Sequence, residues 1–293
     1  MDGKVVLITG ANTGIGKETA RVLAKAGATV YMICRDAKRG GEARAHILQE
    51  LGEKASERVV MMQCDLGSLE SIQNFALAWR EVDLPIDILI NNAGIMACPK
   101  STTVDGFETQ FGVNHLGHFL LTNLLIPYLK RSGKARVVSV SSMAHKASGI
   151  RFDVCGKTDV YDEFFGHWTA YGISKTANIL FALELDKRYK DAGIRSNALH
   201  PGTIATELGR NNMGASLFYT VGSLFCKSVP EGAATSVLVA VAPQLDDVGG
   251  YYFSDCNITP QSAHAANLAD AQRLWEESEK WVNLQERFNT IYG

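Results

Sequence analysis

The feature that most restricts the fold is a glycine-rich turn between a strand-like segment and a helical one. Val5–Thr9 is apolar and rich in β-branched residues, and glycines at positions 10, 14 and 16 precede a helical pattern that stops at Gly27. Such glycines let the backbone approach a pyrophosphate, to which the helix N-terminus presents unpaired N–H groups. The spacing differs from the usual Gly-x-Gly-x-x-Gly, but the order strand, turn, helix predicts a dinucleotide site.

A tyrosine and a lysine stand four positions apart later in the chain. On a helix, Tyr171 and Lys175 would project from one face, because four residues make about one turn. A neighbouring ammonium would lower the pKa of the phenol from its reference value of about 10, towards the range where it acts as a general acid or base. Taken alone, the pair is more typical of an exposed helix surface that does no chemistry, so its weight comes from the glycine turn.

Composition limits the classes of partner. The 293 residues are 46% hydrophobic and 20% charged, with a formal net charge of -2, so the chain can form a large core and no nucleic-acid partner is expected. Six scattered cysteines without a C-x-x-C pair, and no secretory signal, indicate a reducing compartment, and we expect a cytoplasmic protein. The histidines show no ligand spacing with cysteines or carboxylates, so no metal site is predicted.

The longest apolar run, residues 118–129, contains Thr122, Asn123 and Pro127 and is too short to cross a bilayer. No transmembrane helix is therefore expected. An aromatic and apolar stretch at 217–225 leaves peripheral contact with the cytosolic face of a membrane open, although only Arg210 and Lys227 flank it as basic anchors.

Strand-like and helical segments alternate along the whole chain, which predicts an α/β fold with a doubly wound parallel sheet. No linker or repeat interrupts the pattern, so residues 1–293 are predicted to form a single domain. Two stretches without strand signals, 144–169 and 203–228, are predicted to be an active-site insertion and a substrate lid. The predicted strands are Val5–Thr9, Thr29–Cys34, Val59–Cys64, Ile86–Asn91, Arg136–Ser141, Ser196–His200 and Gly250–Phe253.

Several motifs in this order resemble the short-chain dehydrogenase/reductase family, whose fold is of the Rossmann type. The motifs are Thr9-Gly10-x-x-x-Gly14-x-Gly16, Asn91-Asn92-Ala93-Gly94, Asn114, Ser142, Tyr171-x-x-x-Lys175 and Pro201-Gly202. The resemblance covers nearly the whole chain. It is strongest to the retinol dehydrogenase group and to the oxidoreductase domain of the WW domain-containing oxidoreductase, whose sequences look similar at residues 9–20 and 113–119.

The resemblance implies hydride transfer between a nicotinamide dinucleotide and a carbonyl or alcohol carbon. Tyr171 would move the proton, Lys175 would tune the phenol and bind the nicotinamide ribose, and Ser142 would hold the substrate oxygen. Asn114 would hold a water of the proton relay. Two alternatives remain open at this point: Ser141 is the rival serine, and Asn114 is also typical of a helix cap.

The resemblance also implies a set of cofactor contacts. Thr206 would meet the pyrophosphate, and Asp65 and Asn91 would lie around the adenosine, although the latter two are also typical of strand-end turns. The full predicted set is Gly10, Asn12, Thr13, Gly14, Ile15, Gly16, Arg35, Asp65, Leu66, Asn91, Ala93, Gly94, Tyr171, Lys175, Pro201, Gly202, Ile204 and Thr206.

The end of the second strand indicates which cofactor is preferred. Cys34 stands where an acidic residue would bind the ribose of NAD(H), and Arg35 follows it. A guanidinium can bind the 2′-phosphate of NADP(H), and Lys17 adds positive charge, whereas Asp36 argues the other way. NADP(H) is therefore favoured over NAD(H).

Ser142 and Tyr171 are 29 positions apart, more than in many members of the family, so the intervening loop is long, as in the retinol dehydrogenase group. Its aromatic residues either wall an apolar pocket for a retinoid-, steroid- or lipid-aldehyde-like substrate or pack the insertion down. These residues are Phe152, Tyr161, Phe164, Phe165 and Trp168.

Two further expectations concern partners and turnover. Helices near Gly117–Leu129 and Ser174–Tyr189 carry apolar residues on more than one face, which predicts a homo-oligomer, and the family pairs these helices between subunits. Some proteins of this fold bind a dinucleotide only as regulators or scaffolds. Retention of all four catalytic positions favours an enzyme.

Overall fold

A single twisted sheet runs through the computed structural model, which describes residues 1–204 and 226–293. Across these ranges the strand order is β3-β2-β1-β4-β5-β6-β7-β8. Strands β1 to β7 pair in parallel, whereas β8 pairs with β7 antiparallel and was not predicted. The strands are β1 (Val5–Thr9), β2 (Thr29–Cys34), β3 (Val59–Gln63), β4 (Ile88–Asn91), β5 (Ala135–Val140), β6 (Ile194–His200), β7 (Tyr252–Ser254) and β8 (Asn257–Ile258).

The predicted α/β doubly wound sheet is confirmed, and its strand order fixes where a ligand can bind. Strand β1 pairs with β2 on one side and β4 on the other, so that Val6 lies opposite both Val30 and Ile88. The chain runs outwards from β1 to β3 and then returns to begin β4. A crevice forms beyond the carboxyl ends of β1 and β4, at this reversal of strand order.

Helices cover both faces of the sheet. Several begin with a side-chain cap: Asp36 accepts a hydrogen bond from the Arg39 N–H at 2.9 Å, and Ser228 and Glu231 form a reciprocal capping box. In the described ranges the helices are α1 (Gly14–Lys25), α2 (Ala37–Leu51), α3 (Leu69–Val82), α4 (Thr109–Phe111), α5 (Gly117–Ser132), α6 (Gly166–Tyr189), α7 (Val229–Val241), α8 (Leu268–Trp281) and α9 (Leu284–Tyr292). A π-helical turn, Gly112–Leu116, connects α4 and α5.

The alternation of side chains along β1 divides the core into two layers. Val6 and Ile8 pack on the layer that includes residues of α1, α2 and α7, and Val5 and Leu7 pack on the layer that includes α3, α5 and α6. All five residues of β1 are buried. This continuous apolar run is expected for a parallel strand covered on both faces, and it fixes the position of the glycine turn that follows.

Self-association was predicted from apolar faces of α5 and α6 that one chain would leave exposed to water, and this reason is wrong. The apolar faces of α5 and α6 are not left wet, because the C-terminal helices α8 and α9 cover them within one chain. The ring of Trp275 stacks on Phe181 at 5.7 Å, and the Tyr292 hydroxyl donates to the Leu124 carbonyl at 2.6 Å. The homo-oligomer therefore remains a prediction without this support.

The long loop before Tyr171 is folded onto the domain. Residues 144–169 contain the 3-10 helix Thr158–Asp162, and the 3-10 helix Met143–Lys146 begins one residue before them. The Arg273 guanidinium lies 3.9 Å from the ring centroid of Phe152. The predicted lid, 203–228, lies for the most part outside the described residues.

Candidate active site

The crevice beyond β1 and β4 is a cleft with a volume of about 350 Å³, and the glycine turn forms its floor. Gly10 and Gly14 have φ values of +66° and +53°, a region that favours glycine. A Cβ atom at Gly10 would lie 2.8 Å from the Ala93 Cα, and one at Gly16 would lie 2.5 Å from the Gly10 carbonyl oxygen. The close approach of these two chain segments requires both glycines.

Most of the predicted cofactor-binding residues line this one cleft. They are Gly10, Asn12, Thr13, Gly14, Ile15, Gly16, Arg35, Asp65, Leu66, Ala93, Gly94, Tyr171, Lys175, Pro201, Gly202 and Ile204. Ser142 lines it as well. Residues far apart in the sequence thus meet where the strands end, as the parallel sheet requires. Thr206 lies outside the described residues.

Asn91 is placed elsewhere. It is the last residue of β4, it is 2% exposed, and its side-chain amide donates to the Thr122 hydroxyl of α5 at 2.9 Å. The next residue, Asn92, lines the cleft instead. Successive side chains of a strand point to opposite faces, so the first asparagine of the pair faces α5.

Asn114 lies behind the cleft wall, inside the π-helical turn, so the helix-cap alternative is wrong. Its side chain accepts from the Ile95 N–H at 2.9 Å and donates to the Ile95 carbonyl and the Ser174 hydroxyl, both at 3.0 Å. A Cβ atom at Gly94 would lie 3.4 Å from both the Asn114 Oδ1 and the Lys175 Nζ. These two polar atoms therefore converge beside Gly94.

Helix α6 brings Tyr171 and Lys175 to the same side of the cleft. Lys175 is 3% exposed, its Nζ donates to the Val140 carbonyl at 3.1 Å, and it lies 5.5 Å from the centroid of the Tyr171 ring. Burial lowers the pKa of the Lys175 ammonium to about 8. The phenol and the amine thus share one buried corner of the site.

The two neighbouring serines have different environments. The Ser141 hydroxyl donates to the Lys175 carbonyl at 2.6 Å and so braces α6 against the end of β5. Ser142 begins the 3-10 helix Met143–Lys146, and its hydroxyl accepts from the Ala144 N–H at 3.2 Å. That hydroxyl keeps its own proton for a further acceptor in the cleft, which suits the role predicted for Ser142.

The far end of the cleft is lined by Arg35, Asp36 and Arg39. One carboxylate oxygen of Asp36 caps α2, and this hydrogen bond to the Arg39 N–H holds the pKa of the Asp36 carboxyl below its usual value. Sequence reasoning named Lys17 here and missed Arg39, whereas Arg39 lines the cleft and Lys17 does not. The sequence feature that could have identified Arg39 is a second arginine four positions after Arg35, at the start of the next helix.

The aromatic residues of the insertion fall into two groups. Phe152 and Tyr161 pack the insertion down: the Tyr161 hydroxyl donates to the buried Glu108 carboxylate at 2.9 Å. By contrast, Phe164 and Phe165 are 88% and 62% exposed, and the ring centroid of Trp168, which is 40% exposed, lies 6.4 Å from that of Tyr171. Trp168 is thus the aromatic residue of this loop in contact with the predicted acid/base.

Comparison with known proteins places this site in a family. A sequence profile described as short chain dehydrogenase matches residues 4–155. The chain belongs to the short-chain dehydrogenase family. It is 47% identical over 284 residues to retinol dehydrogenase 12 of Mus musculus, covering 97% of this chain and 87% of that one. It is 43% identical over 279 residues to retinol dehydrogenase 11 of Homo sapiens, covering 95% and 85%.

Solved structures of the family share the fold. The crystal structure of an uncharacterized protein from Mycobacterium Paratuberculosis superposes with a TM-score of 0.74 at 35% identity, covering 96% of this chain and 94% of that one. The predicted family and its Rossmann-type fold are therefore confirmed. Members of the family are oxidoreductases that use a nicotinamide dinucleotide, and this chain is one that is related to the retinol dehydrogenases.

Within residues 1–204 and 226–293, no helix is long and apolar enough to span a bilayer. The same ranges contain no group of three or more histidine, cysteine or acidic side chains arranged to hold a metal ion.

Proposed function

We propose that the protein transfers a hydride between NADP(H) and the carbonyl or alcohol carbon of a small apolar substrate of the retinoid-, steroid- or lipid-aldehyde type. The observation that carries this proposal is the meeting of Ser142, Tyr171 and Lys175 in the cleft whose floor is the glycine turn. A general acid, an oxygen ligand and a dinucleotide cradle in one cleft are the components that carbonyl reduction requires.

The cleft fits a dinucleotide. Gly10, Gly14 and Gly16 leave the backbone bare where a pyrophosphate would lie, and the N-terminus of α1 opens towards it. Thr13 precedes α1 and makes no side-chain cap, so the first N–H groups of this helix are not satisfied by that side chain. An anion at the helix start would accept their hydrogen bonds.

The phosphorylated cofactor is favoured by charge. Arg35 and Arg39 line the adenosine end, and one carboxylate oxygen of Asp36 is engaged in capping α2. Guanidinium groups bind phosphate oxygens in a forked geometry, which supports NADP(H) over NAD(H).

The bound cofactor would supply the hydride, and the side chains would handle the proton and the oxygen. Tyr171 would pass its proton to the carbonyl oxygen while Ser142 donates a hydrogen bond to that same oxygen. The Lys175 ammonium would stabilise the phenolate left behind and bind the nicotinamide ribose. Asn114, held beside Lys175 by its bonds to Ile95 and Ser174, would hold a water of the relay.

The direct test is NADPH oxidation by the purified protein with a panel of aldehydes and ketones that ranges from short polar compounds to long apolar ones. We expect turnover with the apolar members and slower turnover with NADH than with NADPH. Tight NADPH binding without oxidation by any carbonyl would replace this proposal with the regulatory dinucleotide-binding alternative. Turnover restricted to polar carbonyls would remove the proposed substrate class.

A further inference from the structure

A fully buried histidine of α5 lies between the glycine turn and the π-helical turn. His118 is 2% exposed, its Nε2 lies 2.9 Å from the Thr9 hydroxyl, and its Nδ1 lies 2.9 Å from the Asn114 carbonyl oxygen. One imidazole ring thus contacts the residue that opens the cofactor turn and the residue predicted to hold the relay water.

The surrounding hydrogen bonds fix the direction of each of these contacts. The Thr9 hydroxyl oxygen accepts from the backbone N–H groups of Asn92 and Ala93, both at 2.9 Å. These two bonds use its acceptor capacity, so its own proton goes to His118 Nε2, which lies nearer than the alternative Ile90 carbonyl at 3.4 Å. The other ring nitrogen then carries the proton and donates to the Asn114 carbonyl.

The ring stays neutral, as this arrangement requires. Burial lowers the pKa of His118 to about 4, and the positive charge of Lys175 acts in the same direction. At neutral pH the imidazole therefore has one donor and one acceptor, and each has a partner.

The contacts continue from Asn114 to the proposed acid. Asn114 donates to the Ser174 hydroxyl at 3.0 Å, and that hydroxyl donates to the Tyr171 carbonyl at 2.8 Å. A line of hydrogen bonds thus runs from Thr9 through His118, Asn114 and Ser174 to the backbone of Tyr171. It joins the strand end that would hold the cofactor to the helix that carries the acid/base.

We propose that His118 is a positioning residue that sets the register between the glycine turn and the π-helical turn of Asn114, and so aligns the bound cofactor with Tyr171. The proposal rests on the proposed function. It predicts that the two nitrogens of one ring act on different steps. The contact with Thr9 affects cofactor affinity through Asn92 and Ala93, and the contact with Asn114 affects turnover.

A second histidine in the same segment supplies a matched control. His115 is 1% exposed, and burial lowers its pKa to about 3. Its Nε2 lies 2.9 Å from the Ser278 hydroxyl of α8, in the aromatic layer with Phe111 and Phe119, away from the cleft. A loss caused only by removing a buried histidine should therefore be the same at both positions.

The experiment compares His118→Phe, His118→Asn and His115→Phe. The asparagine variant can keep the donor to the Asn114 carbonyl, because Asn123 of the same helix donates to the carbonyl four residues earlier, that of Phe119, at 2.8 Å. We expect kcat per folded molecule to fall about 10- to 100-fold in His118→Phe. His118→Asn should recover most of kcat while its KM for NADPH stays raised. His115→Phe should lower the melting temperature and leave both constants near those of wild type.

Two readouts separate this proposal from the proposed function. NADPH affinity by fluorescence titration needs no turnover, and amide hydrogen exchange at Asn92, Ala93 and Ile95 needs no cofactor. A wild type without carbonyl turnover would refute the proposed function, whereas faster exchange at these amides in His118→Phe but not in His115→Phe would still support the positioning role. Equal effects of the two phenylalanine variants on kcat, NADPH affinity and exchange would overturn it.

Discussion

Two regions that meet at Tyr171, the cofactor wall and the insertion wall, are built in different ways. The cofactor wall is made of strand ends and backbone, with the glycine turn held to Asn92 and Ala93 through the buried hydroxyl of Thr9. The insertion wall, residues 144–169, contributes no residue to the cleft lining but contacts Tyr171 through Trp168, and Phe164, Phe165 and Trp168 are exposed. The sheet fixes the cofactor wall, whereas the insertion wall is a loop with short 3-10 helices. Substitutions in the first wall should therefore change cofactor binding and chemistry, and those in the second only substrate affinity.

The largest expected effect is on the buried amine where the two walls meet. Lys175→Met keeps the volume of the side chain but removes the ammonium 5.5 Å from the centroid of the Tyr171 ring. Turnover should fall by about 10²–10⁴-fold and NADPH should bind more weakly, because the charge serves both the proton and the ribose. Rapid-mixing kinetics and fluorescence titration measure the two effects. If only turnover or only NADPH affinity decreased, Lys175 would serve either the proton transfer or the ribose, and not both.

The adenosine end offers the next effect. Arg35→Asp should weaken NADPH by roughly tenfold or more, about 1.4 kcal/mol, with little change for NADH, because a carboxylate would face the 2′-phosphate. Lys54→Asp makes the same change of charge on an exposed residue that does not line the cleft, and it should change neither affinity. Tighter binding of NADH than of NADPH by the wild type would remove the role of Arg35.

Cofactor affinity should also depend on pH. Burial lowers the pKa of Lys175 to about 8, so the protein without cofactor loses this positive charge as the pH rises through that value. Because the protonated amine is proposed to bind the ribose, NADPH affinity should be constant below about pH 8 and decrease above it. Isothermal titration between pH 6.5 and 9.5 in wild type and Lys175→Met tests this. A decrease that persists in the variant would have another origin.

The smallest effect is expected at the insertion wall. Trp168→Ala should raise KM for long apolar carbonyls by about 2- to 12-fold, the 0.5–1.5 kcal/mol of a lost aromatic contact, with NADPH affinity unchanged. Tyr251→Ala removes an aromatic ring of similar exposure, 48% against 40%, just before β7, and should leave this KM unchanged. A change in NADPH affinity in Trp168→Ala would mean that the two walls are not independent.

The sequence predicted the cofactor wall well because its signals are local. Val5–Thr9 and Thr29–Cys34 have the predicted bounds, since each is a continuous apolar run that ends at a turn. The start of β6 differs: the strand begins at Ile194, because Arg195 is accommodated by its ion pair with Asp186, nine residues earlier. Such a pairing cannot be read from the apolar pattern.

Tertiary packing accounts for what the sequence left open. Asn91 and Asn92 are adjacent and chemically alike, and only the register of β4 decides that the second lines the cleft. The covering of α5 and α6 by Trp275 and Tyr292 joins segments about a hundred residues apart or more. The two partners of His118 likewise lie in two other elements, β1 and the π-helical turn, so its place between Thr9 and Asn114 required the structure.

We propose that Tyr171 moves the proton, and that the cleft still binds the cofactor when the phenol hydroxyl is removed. The most direct measurement is the single-turnover rate of NADPH oxidation by Tyr171→Phe with an apolar aldehyde, alongside NADPH affinity. Tyr189→Phe, at the far end of α6, removes a hydroxyl from the same helix away from the cleft and serves as the control. We expect the rate constant to fall by about 10²–10⁴-fold in Tyr171→Phe while NADPH affinity is retained, and no change in the control. An undiminished rate in Tyr171→Phe would contradict the account.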